Sequence, residues 1–456
     1  MGNPRIVLCP NQKKDMGYTK HLVGLLGMLA CLSQLFAQTN TSPLSLADAI
    51  SKAAQNNRAV NLSKLDEQIA VSNYKQTEAI YLPQVGLSYT AISTNNPLNA
   101  FGFKLQQKSI SQADFNPDLL NHPNGTPDFT TKIEVQQPLI NMDMLYMRKG
   151  AAMQTEVYQY KTKRTKEYLT FQVQKAYLQL QLAYNAVSVL EDALQTTKAV
   201  YTFTDNHFKQ GLIQKSDVLN VQVQINTVES NLAKAKSNIG NASDYLSLLM
   251  GQPTGIIYTA TDNTTMDTNT DSTATIASNR SDFMAIQKAI EASDIMIKSS
   301  KMTELPKLNA FGSYQLNDSR MLGFGANAYL VGAQLSWDIF KGNRTKNTIT
   351  TQTLERNRLV EELTQQKEQS NLELSKAKRD ISDATTEIAT QKIAIAQAEE
   401  SLRILQNRYK QGLVNTTDVL MATTQVSQQK FAMAQAIFNQ NAAKAYLQFL
   451  TTSTNK

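Results

Sequence analysis

The sequence predicts a mixed α+β membrane protein with an internal twofold repeat, and three observations support this prediction. A motif in the middle of the chain recurs near its end, and long segments carry apolar residues at a mean spacing of 3.5 positions. Four shorter segments alternate apolar and polar residues. Together these patterns predict long coiled-coil helices combined with a few membrane-type strands.

The repeat divides the chain into two halves of the same design. Residues 206–220 read NHFKQGLIQKSDVLN and residues 407–421 read NRYKQGLVNTTDVLM. We predict a first repeat over 38–256, a connector over 257–278 and a second repeat over 279–456. Each repeat is expected to contain a helix, a β-hairpin (about 83–140 and about 306–340) and a pair of long helices (about 142–250 and about 342–450).

The helical segments show a heptad-like spacing. No proline occurs between Leu139 and Pro253 or after Pro306, so a helix over 142–206 would be about 95 Å long at 1.5 Å per residue. Such a rod needs neighbouring helices along its length, and spacing of this kind specifies coiled-coil packing. One series of these apolar positions is Leu169, Val173, Ala176, Leu180, Ala183, Val187 and Leu190.

The alternating segments have the period of two that is typical of transmembrane β-barrels. Tyr329 and Trp337 share one face of the last segment and are candidates for an interfacial aromatic belt, although simple packing is the other interpretation. The turn-rich stretch 94–128 suits an external loop. The apolar positions are Val85, Leu87, Tyr89 and Ala91; Ile133 and Val135; Leu308, Ala310, Tyr314 and Leu316; and Tyr329, Val331, Ala333, Leu335 and Trp337.

The N-terminal segment has the features of a secretory signal peptide. Lys20-His21 precedes the apolar run from Leu22 to Phe36, and Ala37 offers a cleavage site, so residues 1–37 are expected to be removed. Lipidation of Cys31 is the alternative processing event. Because Cys9 and Cys31 are the only cysteines, cleavage after Ala37 would leave a protein without disulfides.

The composition argues against several functional classes. A net charge of +7, spread along 456 residues, is too small to indicate a nucleic-acid-binding protein. Beyond the signal peptide the chain has two histidines (His122 and His207) and no nucleophile, phosphate or metal motif. We therefore predict neither catalytic activity nor a cofactor or metal site.

The order of elements and the two turn motifs, Tyr/Phe-Lys-Gln-Gly-Leu and Ser/Thr-Asp-Val-Leu, resemble those of TolC-like outer-membrane efflux proteins. The resemblance implies a homotrimer in the bacterial outer membrane, in which each protomer gives four strands to one 12-stranded barrel. The long helices would form a periplasmic tunnel. The expected function is passive exit of small molecules delivered by an inner-membrane pump and a periplasmic adaptor protein.

The resemblance also suggests roles for residues at the two turns. Gly211 and Gly412 have the pattern of helix C-termini, and the resemblance implies that Gly211-Leu212 and Gly412-Leu413 form the tip that an adaptor binds. Asp217 and Asp418 have the pattern of acids in a first helical turn. The equivalent of Asp418 in the family contributes an acidic ring at a closed aperture.

The sequence departs from the family at this aperture. Some members carry a second aspartate one helical turn onward, where this chain has Met421 and, in the first repeat, Asn220. The aperture is therefore expected to combine an acidic ring with apolar contacts. Two other functions remain open at this stage, a type I protein-secretion duct and an exported structural coiled-coil stalk or adhesin.

Overall fold

The computed structural model describes residues 41–262 and 274–453. The signal-peptide prediction and the alternative lipidation of Cys31 concern residues outside these ranges. The described chain consists of long helices, a four-stranded sheet and a small two-stranded sheet.

The small sheet joins the start of the described chain to the beginning of the connector between the repeats. Strand β1 (Thr41–Leu44) pairs in parallel with β4 (Ile257–Ala260). Helices α1 (Leu46–Asn56) and α2 (Arg58–Gln76) follow β1, and the Asn57 side chain caps α2. The connector shows no periodicity in the sequence. A strand of four residues is too short for a periodic pattern, and its partner is more than 200 positions away.

The larger sheet contains the four strands of the two expected hairpins. Its members are β2 (Gln84–Thr94), β3 (Thr126–Ile140), β5 (Lys307–Asp318) and β6 (Ala326–Ser336). Neighbouring strands are antiparallel, and the order is β2-β3-β5-β6. Each repeat thus forms one hairpin, the β3–β5 pairing joins the repeats, and β2 and β6 are the edges of the sheet.

The connection between β2 and β3 contains more regular structure than a turn-rich external loop would suggest. Helix α3 (Pro97–Gln106) and the short helix α4 (Pro117–Asn121) form within it. Each begins with a proline at its first position after an asparagine whose side chain accepts a backbone hydrogen bond. Two Asn-Pro pairs in the turn-rich stretch 94–128 are therefore the N-termini of helices.

Five further helices make up the rest of the described chain: α5 (Met142–Lys209), α6 (Lys215–Met250), α7 (Ser281–Met302), α8 (Arg344–Lys410) and α9 (Thr416–Thr451). Helix α5 has 68 residues and α8 has 67, so each is about 100 Å long. The series of apolar positions from Leu169 to Leu190 is buried between neighbouring helices. Within residues 41–262 and 274–453, none of the helices combines the length and hydropathy required to cross a membrane.

A buried arginine connects the start of α7, the middle of α8 and the end of α9. Arg280, directly before α7, has a side chain that is only 1% exposed. Its guanidinium donates hydrogen bonds to both carboxylate oxygens of Asp282, each at 2.7 Å, and to Ser370 Oγ of α8 at 2.6 Å. It also reaches the carbonyl oxygen of Leu450 in α9 at 3.5 Å. The start of the second repeat is thereby connected to α8 and to the last turns of α9.

Candidate functional site

The strand register places the predicted apolar positions within β2, β3, β5 and β6 on one face of the larger sheet. Leu87 lies opposite Ile133, Ile133 lies opposite Tyr314, and Tyr314 lies opposite Tyr329. Because side chains alternate along a strand, residues paired in this way share a face. The apolar face is therefore continuous across four strands, as a surface in contact with lipid would have to be.

The opposite face of the same sheet is predominantly polar. Lys132 Nζ and Glu134 Oε2 of β3 form an ion pair at 2.9 Å, and Gln136 donates to the same carboxylate. Ser313 of β5 lies opposite Glu134, and Gln315 lies opposite Lys132. A sheet with one apolar and one polar face can separate lipid from an aqueous lumen.

The two candidate belt residues lie towards opposite ends of β6. Tyr329 is close to the beginning of the strand and is largely exposed. Trp337 follows the last residue, and its indole Nε1 donates to the carbonyl oxygen of Glu304 at 2.9 Å. Extended chain rises about 3.3 Å per residue, so the two positions are roughly 26 Å apart along the strand. A strand tilt of about 40° reduces this to roughly 20 Å along the membrane normal, which is comparable with the height of an apolar membrane band of about 25 Å.

The two turn motifs have the same backbone geometry. Gly211 has φ +74° and Gly412 has φ +73°. The amide of Leu212 donates to the carbonyl of His207, and that of Leu413 to the carbonyl of Arg408, both at 3.0 Å. These are the bonds of a Schellman motif, in which glycine takes the left-handed position. The motif leaves the leucine side chains 64% and 61% exposed.

Replacing Gly412 by alanine is expected to destabilise the tip by about 1–2 kcal/mol, because a left-handed backbone disfavours a Cβ atom. No heavy atom of the described residues lies within 4 Å of the ideal Cβ position, so the cost comes from the backbone alone. Gly240→Ala is the control. It lies inside α6, where alanine should stabilise by up to about 1 kcal/mol. Thermal melts that shift equally in both variants would contradict this assignment.

The candidate aperture residues lie at the start of the two returning helices. Asp217 Oδ2 accepts from the backbone amide of Gln214 at 3.3 Å, and Asp418 Oδ2 accepts from that of Asn415 at 3.2 Å. Neither carboxylate has an ion-pair partner within residues 41–262 and 274–453. Asn220 and Met421, one turn onward, are exposed. Each carboxylate therefore caps its helix with one oxygen.

A cluster that the sequence analysis did not identify holds the two turns together. Tyr409 of α8 is buried, and its hydroxyl forms hydrogen bonds with Thr204 Oγ1 of α5 at 2.7 Å and Thr416 Oγ1 of α9 at 2.8 Å. Phe203 packs against the Tyr409 ring at 4.9 Å between centroids. The position of this tyrosine in the heptad series could have indicated that it is buried. The sequence pattern does not predict its hydrogen-bond partners, because Thr204 belongs to the other repeat.

The comparisons with known proteins agree with this architecture. A model of the outer membrane efflux protein family matches residues 49–252 and 274–453. The chain belongs to this family. This confirms the TolC-like resemblance carried by the two turn motifs, and the chain is accordingly an efflux protein of the outer membrane. A search of curated protein sequences gave no match.

Several solved structures share the fold at low sequence identity. CusC, described as forming a transmembrane channel, is 17% identical with a TM-score of 0.74, covering 92% of this chain and 95% of that one. VceC from Vibrio cholerae is 17% identical with a TM-score of 0.72, covering 90% and 97%. The CmeC outer membrane channel of Campylobacter jejuni is 13% identical with a TM-score of 0.73, covering 90% and 87%.

Proposed function

We propose that the protein is the passive outer-membrane exit duct of a tripartite efflux system and carries small molecules from an inner-membrane pump and periplasmic adaptor to the exterior. The observation that carries this proposal is the four-stranded sheet with one continuous apolar face, attached to helices about 100 Å long. Residues 1–37 would serve as the signal peptide that directs export.

The unpaired edges of the sheet require other copies of the chain. The outward edges of β2 and β6 have no strand partner within residues 41–262 and 274–453. Open strand edges are not tolerated in lipid, because their amides and carbonyls would have no hydrogen-bond partner. Pairing β6 of one copy with β2 of the next removes every edge, and three copies would give a closed barrel of 12 strands.

The helical tip is the proposed binding surface for the adaptor. Leu212 and Leu413 are exposed apolar side chains on two turns that the Tyr409 cluster holds together. The Schellman geometry fixes both leucines outward, so they form a rigid surface of the kind that binds a partner. In this position they would be the part of the trimer farthest from the outer membrane.

A photo-crosslinking amino acid at position 413, introduced in living cells, tests the proposed function. We expect it to capture a periplasmic adaptor protein identified by mass spectrometry. The control is the same crosslinker at Ile393, which is as exposed but lies within α8, away from the turns. An adaptor of a proton-driven pump supports small-molecule efflux, and an adaptor of an ATP-driven exporter would instead indicate protein secretion. Capture of no adaptor by the correctly inserted protein would refute the tip assignment.

The proposed aperture makes a separate prediction. Three copies of Asp418 around a constriction would favour cations over anions, so Asp418→Asn is expected to lower the cation-to-anion permeability ratio in planar bilayers. Asp205→Asn is the control, because Asp205 lies near the same tip but is paired with Lys209 at 2.7 Å. An unchanged ratio in Asp418→Asn would show that this carboxylate does not line the conduction path.

A further inference from the structure

The connection between β2 and β3 lies over the polar face of the sheet instead of extending away from it. We refer to residues 95–125 as the cap segment. Its helix α3 packs against both β3 and β6, and therefore crosses β5, the strand between them. Ala100 of α3 is buried, as is Ala326 at the start of β6. Ala326 lies opposite Asn317 of β5, which is a polar-face residue.

A buried polar cluster attaches the cap segment to this face. Gln107 Nε2 donates to Asp128 Oδ1 at 2.9 Å and to the carbonyl oxygen of Pro127 at 2.8 Å. Asn317 Nδ2 donates to Asp128 Oδ2 at 3.0 Å and to Thr130 Oγ1 at 2.7 Å. Asp128 is 3% exposed and Asn317 is 1% exposed. Buried polar groups need such partners, so the contact is specific and not an incidental surface approach.

The register identifies which side of the sheet is covered. Thr130 lies opposite Asn317, and both share a face with Lys132 and Glu134. The apolar side chains of Ile133 and Tyr314 are on the other face. The cap segment therefore covers the side of the sheet that would face a water-filled lumen, at the end of the strands opposite to the long helices.

We propose that the cap segment lies inside the mouth of the channel and limits the size of molecules that can pass. This inference rests on the proposed barrel. Twelve strands spaced by about 4.8 Å and tilted by about 40° enclose a backbone diameter of roughly 24 Å. A helix with its side chains is about 10 Å wide, so three copies of α3 against the wall leave an opening far narrower than the barrel.

Cysteine labelling in intact cells tests this inference. Ser313→Cys places a thiol on the polar face, on the same strand as Asn317 but closer to the helices. A small hydrophilic maleimide and a long polyethylene-glycol maleimide are applied from outside. Tyr314→Cys places the thiol on the apolar face, Leu98→Cys places it on the exposed side of the cap segment, and the parent protein gives the background.

We expect the small reagent to label Ser313→Cys and the long reagent to fail. Adding Gln107→Ala, which removes two hydrogen bonds to the sheet, should raise labelling by the long reagent from none towards the level of Leu98→Cys. Replacing residues 97–123 by a short turn should raise labelling of Ser313→Cys by the long reagent to the level of Leu98→Cys. This shortened connection is the second variant if Gln107→Ala has too small an effect.

The outcomes separate this inference from the proposed function. Labelling of Ser313→Cys by the long reagent in the otherwise intact protein would refute the proposed restriction by the cap segment. It would remain consistent with a water-filled lumen on the polar face. The same conclusion would follow if neither Gln107→Ala nor the shortened connection admitted the long reagent. Failure of even the small reagent to label Ser313→Cys, with Tyr314→Cys labelled instead, would overturn the face assignment and with it the proposed barrel.

Discussion

Replacing Val331 by arginine is expected to prevent assembly of the protein in the outer membrane. Val331 is 74% exposed at the middle of β6 and belongs to the continuous apolar face. An arginine on the lipid side of a membrane strand costs about 2–4 kcal/mol near the bilayer midplane. In a trimer this cost arises once per protomer. A free-energy cost of this size is a large fraction of the free energy of unfolding of a typical folded domain.

The neighbouring residue provides a matched control. Leu330 is 61% exposed on the same strand, but it lies opposite Ser313 on the polar face. Leu330→Arg should therefore be tolerated, because the guanidinium would remain in water. Both variants can be followed by isolating outer membranes and measuring heat-modifiable trimers on gels.

The comparison of these two variants depends only on the face to which each side chain belongs. Loss of trimers with Val331→Arg and normal amounts with Leu330→Arg would support lipid contact by the apolar face. Equal assembly of both variants would show that the apolar face does not lie in the hydrocarbon region. Loss of trimers only with Leu330→Arg would reverse the two faces.

The periodic parts of the fold were predictable from the sequence. Positions such as Val173 and Leu180 gave the buried face of α5, and Leu87 and Ile133 gave the apolar face of the sheet. In both cases the pattern is local, since one turn of helix or two residues of strand determine where a side chain points. The strands of the larger sheet lie within 84–140 and 307–336, and the long helices lie within 142–250 and 344–451.

The parts that were not predictable depend on partners that are distant in the sequence. The hydroxyl of Tyr409 meets Thr204 from the other repeat, and Gln107 reaches Asp128 only because the connection folds back over the sheet. Polar side chains at such positions look like ordinary surface residues in the sequence. Their roles follow from tertiary packing, which a pattern with a period of 2 or 3.5 does not encode.

The local structure of the tip and aperture residues was predictable from the sequence, but their functional roles depend on other molecules. The repeated motifs correctly indicated helix ends, and Gly211 and Gly412 have the left-handed backbone expected there. A single chain contains no adaptor and no closed pore, however, so the roles of Leu413 and Asp418 stay predictions. Their geometry makes both side chains available for those roles, since Leu413 is exposed and one oxygen of Asp418 takes no part in capping.

Replacing the buried Arg280 by methionine is expected to cost about 3–5 kcal/mol, because it leaves the carboxylate of Asp282 without its principal partner in a largely buried place. Arg403 provides a matched control. It makes an equivalent two-bond contact with Glu400, at 2.7 and 2.6 Å, but its side chain is 63% exposed. Arg403→Met is therefore expected to leave the melting temperature unchanged, since exposed ion pairs contribute little.

The pH dependence of stability tests the same contact independently. Burial acts to raise the pKa of Asp282, but hydrogen bonds from Arg280 and the charges of Arg164 and Arg280 outweigh it, so the pKa lies below its ordinary value. A carboxyl group with a lowered pKa stabilises the folded state above the unfolded-state pKa of about 3.9 and loses this contribution as the pH falls through its folded value. Melting temperatures should thus fall in acid more steeply for the unaltered protein than for Asp282→Asn.

A double-mutant cycle separates the contact of Arg280 with Asp282 from its contacts with Ser370 and Leu450. If the cost of Arg280→Met comes mainly from the unpaired carboxylate, adding Asp282→Asn should recover part of the lost melting temperature, because the charge that needed the arginine is gone. Simple addition of the two losses would instead show that Arg280 acts through its contacts with Ser370 and Leu450. In that case the arginine would serve chiefly to bind α7 to α8 and α9, and any acid dependence that Asp282→Asn removes would come from the charge of Arg164.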